Sequence, residues 1–321
     1  MIIKLLSPKS IEDKILTNYI DYSNLFIAHQ SKFLSDMNSR YQNLENGKLV
    51  LYFTKETHQD ILRQKDYDLN FNLSIENFWN NHGKIEPRRT SLIKIAENTL
   101  LPKETARRKI SELIKQKVLN KKKRNIGWSP NEQHKQSYDS FIVEEINDMS
   151  KLIIFISQKM NLDFSREILI KELRSRFSFY WFHFIGTQLE YLKLWSKQIN
   201  DLELVFILMQ VTGILAAKAK EKKFSYEDLY KNSNLIKDIT NTSISATSIS
   251  DVTGIPRATC VRKLENLVKI KMISQDKITK RYYLIVNTLS EDLISQKIKM
   301  SVVKLFSNFF FICLRNIVTK I

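Results

Sequence analysis

Glycine, proline and cysteine are scarce in this sequence of 321 residues, which holds only 6 glycines, 5 prolines and 2 cysteines. Because few residues are suited to tight turns, long helices are favoured over a sheet of many strands. The cysteines, Cys260 and Cys313, are too few and too far apart for a disulfide framework or a metal site. We therefore expect a mainly α-helical protein in a reducing cytoplasm, without a metal ion.

The sequence also lacks the short motifs that accompany many enzyme activities. It contains no phosphate-binding loop, no glycine-rich nucleotide fingerprint, no metal-ligand spacing and no nucleophile elbow. Its 5 histidines are scattered along the chain. These absences favour a protein that is not an enzyme, and we predict no catalytic residue and no cofactor.

Hydrophobic runs long enough to span a membrane are missing as well. The three most apolar stretches, FSFYWFHFIG, LVFILMQVTGILAA and FFFICL, are all shorter than the roughly 18 residues that a span requires. Pro8 interrupts the apolar start of the chain too early for a signal peptide. The sequence thus predicts buried helices, no membrane partner and a cytoplasmic location.

Positive charge, in contrast, is abundant and concentrated in two short parts of the chain. The formal net charge is +17, from 51 Lys and Arg against 34 Asp and Glu. Residues 103–124 carry a net charge of +8 and residues 256–281 carry +6, so these 48 residues hold +14 of the +17. Such a concentration indicates two anion-binding surfaces.

The two basic stretches repeat one another at an offset of 154 residues. Over residues 95–119, nine of 25 positions are identical to those of the second copy. The stretch SIENFWNN at 74–81 also matches SYEDLYKN at 225–232. We therefore predict an internal repeat of about 154 residues and two domains, at 1–160 and 161–321. The identical residues of the first copy are Ile95, Thr99, Pro102, Thr105, Arg108, Lys109, Leu113, Lys115 and Lys117.

Apolar residues recur at helical spacing before and after the basic stretch of each copy. Ser74 and Ser225 are each predicted to be the N-cap of the helix that precedes the basic stretch of its copy. The stretch LVLYF in the first copy allows either a helix or a strand. The helices predicted from this spacing are 10–45, 48–66 and 134–160 in the first copy, and 164–199, 202–220 and 289–318 in the second.

Within each copy the expected order is helix, short link, helix, tight turn, helix and basic hairpin. The residues are SLIKIAENTLLPKETARRKISELIKQKVL in the first copy and TSISDVTGIPRATCVRKLENLVKIKMI in the second. This pattern resembles the winged helix-turn-helix of bacterial transcription regulators, and the MarR-like group most closely. The resemblance covers about residues 74–128 and 225–287. The turn contains Gly254 in the second copy and Leu100 at the matching position of the first.

The resemblance implies two winged helix-turn-helix modules, each with a small β-wing, on a helical scaffold. The recognition helices would be about 103–117 and 257–271. On a helical wheel, each of these helices separates an apolar face from a face with Thr, Arg and Lys. The predicted DNA-contacting residues are Lys103, Thr105, Arg107, Arg108, Lys109, Lys115, Lys122, Lys123, Arg124, Arg257, Thr259, Arg262, Lys263, Lys269, Lys277, Lys280 and Arg281.

MarR-like regulators are dimers of units about as long as this repeat. The resemblance therefore implies a monomeric pseudo-dimer whose two recognition helices enter successive major grooves of double-stranded DNA, about 34 Å apart. Its implied function is sequence-specific DNA binding in transcription regulation, with any small-molecule effector unknown. Two alternatives remain open: a plasmid- or phage-type replication initiator with tandem winged helices, and a non-enzymatic interaction scaffold.

Overall fold

The computed structural model describes residues 6–224, 243–285 and 293–319, and within these ranges the protein is mainly helical. The predicted mainly α-helical class is therefore confirmed. The strands of the described residues form two short antiparallel pairs. The first pair follows the helix Lys103–Lys115, and the second follows the helix Arg257–Lys269.

Three helices begin the chain: α1 (Pro8–Thr17), α2 (Tyr19–Tyr41) and α3 (Leu44–Tyr67). The LVLYF stretch, which allowed a helix or a strand, lies within α3. The side chain of Asn43 caps α3 by accepting a hydrogen bond from the backbone N–H of Asn46. This cap fixes the start of the helix against which the first basic region packs.

After α3, residues 75–128 form a series of short helices and two strands, which we call the first basic region. A single 3-10 turn at Ile75–Asn77 follows Ser74, which occupies the predicted cap position without a side-chain cap hydrogen bond. We call the part from α5 to β2 the first segment. Its elements and the short helix before it are α4 (Phe78–Gly83), α5 (Leu92–Thr99), α6 (Lys103–Lys115), β1 (Leu119–Lys122) and β2 (Asn125–Trp128).

Four helices connect this segment to the next. Asp201 caps the last of them, since its side chain accepts a hydrogen bond from the N–H of Leu204. The four helices are α7 (Glu132–Lys159), α8 (Arg166–Ser175), α9 (Phe177–Gln198) and α10 (Leu202–Glu221).

The second basic region has the same order of elements, and we call the part from α11 to β4 the second segment. The predicted cap Ser225 and residues 226–242 of the predicted second winged helix lie outside the described residues. The elements are α11 (Ala246–Thr253), α12 (Arg257–Lys269), β3 (Ile273–Gln275) and β4 (Tyr282–Leu284), followed by α13 (Leu293–Val318).

The chain divides into two compact units that do not follow its linear order. The first unit contains Met1–Pro8, Arg40–Lys193 and Leu305–Ile321, and the second contains Lys9–Ser39 and Leu194–Lys304. Each unit thus holds one of the two segments. This division describes packing, whereas the predicted domains at 1–160 and 161–321 follow the sequence repeat and stay a prediction.

In the first unit, α3 packs against α5, α6 and β2. Aromatic rings fill the space beneath the segment, with Phe78 at their centre. The Phe78 ring lies 4.9 Å from His58, 5.3 Å from Phe177 and 6.1 Å from Trp128. This apolar cluster supports the hairpin from below, since Trp128 belongs to β2.

In the second unit, α10 takes the position that α3 has in the first, and packs against α11, α12 and β4. The core of the second segment is aliphatic, with Ile249, Leu264 and Leu267 fully buried beside Cys260. The two segments therefore use different residues for a similar purpose, which is to hold a basic helix on a longer apolar one.

Within the described residues, two helices have the length and apolar character of a membrane span, namely Leu202–Glu221 and the part of α13 at Lys297–Val318. Their mean hydropathies are 1.7 and 1.4, and half of each window is buried within the protein. The core helices of soluble proteins have the same properties, so these two helices are only a weak indication of a membrane span. The predicted absence of a membrane partner stays a prediction.

Candidate nucleic-acid interface

Both segments turn between their helices through three residues that end in proline. Pro102 and Pro256 precede α6 and α12, each with φ of −53°, a value to which the proline ring is already restricted. The first residue of each turn has a left-handed backbone. Leu100 has φ of 50° and ψ of 34°, and Gly254 has φ of 70° and ψ of 5°. The leucine therefore adopts the conformation for which the second turn has a glycine.

The helix before each turn also begins in the same way. Ser91 accepts a hydrogen bond from the N–H of Lys94 at the start of α5, and Ser245 accepts one from the N–H of Ser248 at the start of α11. Serine at this position satisfies a backbone N–H that has no partner within the helix. The caps and turns together determine the direction of α6 relative to α5 and of α12 relative to α11.

The basic helices α6 and α12 have 13 residues each and bury much of their predicted apolar faces. Ala106 and Leu113 are fully buried in α6, as are Leu264 and Leu267 in α12. Because these residues lie three or four positions apart, one side of each helix faces the core and the opposite side faces solvent. Thr105 and Thr259 are half-buried at the border between these sides.

The solvent-facing side carries most of the predicted contact residues. Thirteen of the predicted cations are exposed in the structure. Seven belong to the first segment and six to the second, and both sets combine helix residues with hairpin residues. These cations are Lys103, Arg107, Arg108, Lys115, Lys122, Lys123, Arg124, Arg257, Arg262, Lys269, Lys277, Lys280 and Arg281.

Lys109 and Lys263 are the exceptions, and the structure corrects their assignment. Both are buried, with 6% and 9% of their surface exposed. The Lys109 ammonium donates a hydrogen bond to Oδ1 of Asn43 at 3.0 Å and lies 3.2 Å from the Glu45 carboxylate. An ammonium held within the protein in this way is not available to DNA, so the prediction that these two lysines contact DNA was wrong.

Lys263 makes the corresponding interactions in the second segment. Its ammonium donates a hydrogen bond to Oδ1 of Asp201 at 2.7 Å and lies 3.1 Å from the Glu203 carboxylate. Asp201 is the cap of α10, as Asn43 is the cap of α3. Each buried lysine thus joins its basic helix to the capped start of the longer helix behind it, and we call these interactions the lysine clamps.

The exposed arginines of the two basic helices differ in their neighbours. In α6, Arg107 donates a hydrogen bond to Glu104 at 2.7 Å, and Arg108 donates one to Glu112 at 3.3 Å. Both pairs are exposed, so each contributes little to stability. In α12, Arg257 donates a hydrogen bond to the Thr247 hydroxyl at 3.1 Å, whereas the side chain of Arg262 has no hydrogen bond or ion pair with another described residue.

The hairpin of the first segment is short and strongly basic. Lys122 pairs with Asn125, so Lys123 and Arg124 alone form the loop, and Lys123 has a left-handed φ of 54°. At the other end of β2, a Cβ atom on Gly127 would lie 2.2 Å from Cγ of Pro87. Only glycine allows this close approach between the hairpin and Pro87.

The hairpin of the second segment has a longer loop of six residues, since Gln275 pairs with Tyr282. Asp276 begins this loop, and its side chain accepts hydrogen bonds from the backbone N–H groups of Ile278 and Thr279. The Arg281 guanidinium donates hydrogen bonds to the carbonyl and hydroxyl oxygens of Ser243. The loop is therefore ordered by its own side chains.

A cavity of about 280 Å³ lies beside the first hairpin, within the first unit. Asp60 and Arg88 are on its wall and form an ion pair at 2.8 Å. Lys122 and Lys135 add two more cations, and Glu56 adds a second carboxylate. The cavity wall therefore carries both signs of charge, and Lys122 belongs both to this wall and to the basic hairpin.

His58 is a buried histidine of the first unit, at 0% exposure and outside the basic surface. Neither of its ring nitrogens has a hydrogen-bond partner among the described residues. Burial, together with the nearby His82, lowers the pKa of His58 to about 3. The ring is therefore neutral at physiological pH and packs as an aromatic side chain.

The described residues contain no cluster of His, Cys, Asp and Glu side chains that could hold a metal ion. Burial raises the pKa of the Cys260 and Cys313 thiols, so neither is a reactive thiolate at neutral pH.

Sequence reasoning missed the acidic partners of the lysine clamps, although one signal was present. Lys109 lies three residues after Ala106 and four before Leu113, which places it on the buried side of α6 rather than the exposed one. Lys263 has the same spacing from Cys260 and Leu267. A lysine on an apolar stripe requires an internal anion, and the acidic first turns of α3 and α10 provide one.

Comparison of the chain with family models, with curated proteins and with solved structures finds no match to any of them.

Proposed function

We propose that this protein binds double-stranded DNA in a sequence-specific manner, through the exposed sides of α6 and α12. The observation that carries the proposal is the separation of roles on these two helices. One side of each is buried and clamped by a lysine, and the other presents exposed cations to solvent. The predicted function in transcription regulation is part of this proposal.

The chemistry of the exposed side chains supports base recognition. An arginine such as Arg108 or Arg262 can donate two hydrogen bonds to O6 and N7 of guanine in the major groove. Lys115 and Lys269, near the ends of the helices, are suited to binding phosphates, which sets the position of the helix without reading the sequence. Thr105 and Thr259 can bond either a base edge or a phosphate.

The hairpins extend this surface beyond the helices. Lys122, Lys123 and Arg124 form one cationic tip, and Lys277 and Lys280 belong to the other. A hairpin beside a recognition helix can bind the phosphate backbone or the minor groove next to the major groove that the helix occupies. We therefore propose that each segment is a winged helix-turn-helix module of the MarR-like type.

An internal duplication of the chain is part of the same proposal. The elements α5, α6 and β1 begin 154 residues before α11, α12 and β3, which supports an internal duplication. The matched caps, turns and lysine clamps add support, because these features are not required by helical periodicity alone. A single chain with two such modules would bind two half-sites as a pseudo-dimer.

The test begins with the salt dependence of binding to duplexes selected from a random-sequence pool. Several phosphates bound by each module should weaken binding by about 10³-fold or more between about 50 mM and about 200 mM salt. Competition with unselected DNA then measures specificity. Absence of a salt slope would contradict the proposal, and a slope without preference for selected duplexes would leave only non-specific binding.

A double variant links the binding to the helices. Replacing Arg108 and Arg262 by Ala should weaken specific binding by about 1–3 kcal/mol for each arginine that reads a base. The matched control replaces Lys171 and Lys197 by Ala, since these exposed lysines of α8 and α9 lie outside both segments and remove the same charge. Equal effects of the two double variants would favour a general electrostatic attraction, and no effect of either would favour the interaction scaffold.

A further inference from the structure

The hairpin loop of the second segment, residues 276–281, presents an isoleucine to solvent. Ile278 is 90% exposed, although it lies in a loop whose other residues are polar or charged. Single exposed apolar residues are common on protein surfaces and require no explanation by themselves. The position of Ile278 at the tip of an ordered, cationic hairpin gives it a specific geometry.

The loop is held in one conformation by Asp276. The side chain of this residue accepts hydrogen bonds from the N–H of Ile278 at 3.1 Å, from the N–H of Thr279 at 2.6 Å and from the Thr279 hydroxyl at 2.8 Å. The backbone carbonyl of Asp276 also accepts a hydrogen bond from the N–H of Lys280. The position of Ile278 at the tip is therefore fixed before any partner binds.

The base of the hairpin is anchored in the core of the second unit. Ile273 and Tyr282 are buried, and Tyr282 exchanges two backbone hydrogen bonds of 2.9 Å with Ile244. The exposed cations Lys277 and Lys280 flank the isoleucine. An apolar side chain between two cations, on a rigid support, matches a surface in which anionic phosphates border an apolar stack of bases.

We propose that Ile278 is a wedge that enters the minor groove and partly separates two stacked base pairs, while Lys277 and Lys280 hold the phosphates on either side. This inference rests on the proposed DNA binding of the second segment. Apolar side chains inserted in this way kink the duplex toward the major groove, and flexible pyrimidine–purine steps accept them most readily. Burial of the isoleucine between bases offsets part of the loss of base stacking.

The hairpin of the first segment lacks this feature. Its loop consists of Lys123 and Arg124, so it presents charge without an apolar tip. The proposal therefore assigns DNA deformation to the second segment alone, and predicts a bend on one side of the bound site.

The experiment compares wild type with Ile278→Ser and Ile278→Leu on a selected duplex that is labelled at both ends for energy transfer. Permanganate, which oxidises thymines that have lost stacking, is applied in parallel. We expect wild type and Ile278→Leu to bend the duplex and to expose thymines on one side. Ile278→Ser should abolish both signals and weaken binding about tenfold, as expected for partial burial of one isoleucine. Ile168→Ser, at an exposed position of α8, is the matched control.

The outcomes separate this inference from the proposed function. If Ile278→Ser binds and bends DNA as wild type does, the wedge is refuted and DNA binding stands. If wild type does not bind DNA at all, both fail. A third arm measures binding to phosphatidylserine vesicles, and a loss there on Ile278→Ser without any change on DNA would overturn the wedge in favour of membrane insertion.

Discussion

The two segments share their caps, turns and lysine clamps and differ in the residues around these features. Both have a serine cap, a three-residue turn that ends in proline, a basic helix of 13 residues and a buried lysine clamp. They differ in the residue that opens the turn, in the neighbours of the exposed arginines and in the hairpin loop. Only the second loop carries an exposed isoleucine.

This contrast indicates which constraints act on which residues. The shared caps, turns and clamps determine where the basic helix lies relative to its supporting helix. The hairpin loops and the partners of the exposed arginines differ on the side that we propose to face DNA. If both segments bind DNA, they should therefore dock in the same way and prefer different bases. An imperfect palindrome is the site that such a protein would select.

The arginines provide the largest expected difference between the segments. Arg108→Ala and Arg262→Ala, tested singly, should each weaken specific DNA binding by about 1–3 kcal/mol. We expect the larger loss for Arg262, because Arg108 must first leave the exposed ion pair with Glu112. The measurement is a competition titration with the selected duplex, and a larger loss for Arg108 would contradict the expected order.

Acid should distinguish the two units by about 2 kcal/mol at pH 5. Above pH 6.5, His58 is neutral in both the folded and the unfolded chain, and its titration does not affect stability. Below pH 6.5 the unfolded chain takes up a proton that the folded chain refuses until about pH 3. The free energy of unfolding of the first unit should then fall by about 1.4 kcal/mol per pH unit from this group.

Denaturant unfolding at pH 7 and pH 5 measures this effect, with His58→Leu as the variant that should reduce the difference. His134→Gln, at a half-buried position of the same unit, is the control. Counting from the caps Asn43 and Asp201, the position in α10 that corresponds to His58 is Ala216, which does not titrate. An unchanged pH dependence in His58→Leu would show that other groups are responsible.

Breaking the lysine clamps should cost about 1–2 kcal/mol of folding free energy in each unit. Lys109→Met and Lys263→Met retain the apolar part of the side chain and remove the ammonium. The cost is smaller than for a fully buried ion pair, because Asp201 and Glu203 keep 38% and 34% of their side chains exposed. We expect the larger loss for Lys263, which faces two carboxylates, whereas Lys109 faces one carboxylate and an amide.

Thermal unfolding of the two methionine variants tests this order, and Lys115→Met, an exposed lysine of α6, is the control that should change little. Equal stability of wild type and both clamp variants would mean that the ion pairs do not hold the helices in place.

The turn provides the smallest expected difference. Gly254→Ala should cost about 1 kcal/mol, because alanine is strained in the left-handed region. Space is not the obstacle, since the added Cβ would lie 3.7 Å from the Asn38 amide nitrogen. Leu100→Gly should give a smaller change, because relief of strain is opposed by greater freedom of the unfolded chain. Denaturation midpoints compare the two, and Gly254→Asn should fall between wild type and Gly254→Ala.

The helices were largely predictable from the sequence, because apolar residues at helical spacing determine them. The points at which one helix ends and the next begins were harder to predict. The predicted helix at 10–45 is divided around Asn18 into α1 and α2, and no proline or glycine marks that point. Its predicted end at 45 was also wrong, because α2 ends at Tyr41 and α3 begins at Leu44. The left-handed Leu100 was equally hidden, since leucine rarely adopts this conformation and only the match with Gly254 pointed to it.

The exposed surface was predicted with two errors that have one cause. A sequence comparison treats an identical lysine as an identical function, whereas burial depends on which residues lie behind it. Lys109 and Lys263 pair with the starts of helices that are more than 60 residues away in the chain. Interactions over that separation depend on how helices pack, which local spacing does not specify.

Each unit is assembled from separate stretches of the chain, so its parts are synthesised at different times. Leu305–Ile321 belongs to the first unit, where Phe306 packs 6.0 Å from Tyr191 and Phe309 packs 5.8 Å from Phe184. A ribosome therefore finishes most of the first unit long before it supplies the aromatic residues that complete its core. During that interval the rings of Tyr191 and Phe184 lack the partners that they have in the finished protein.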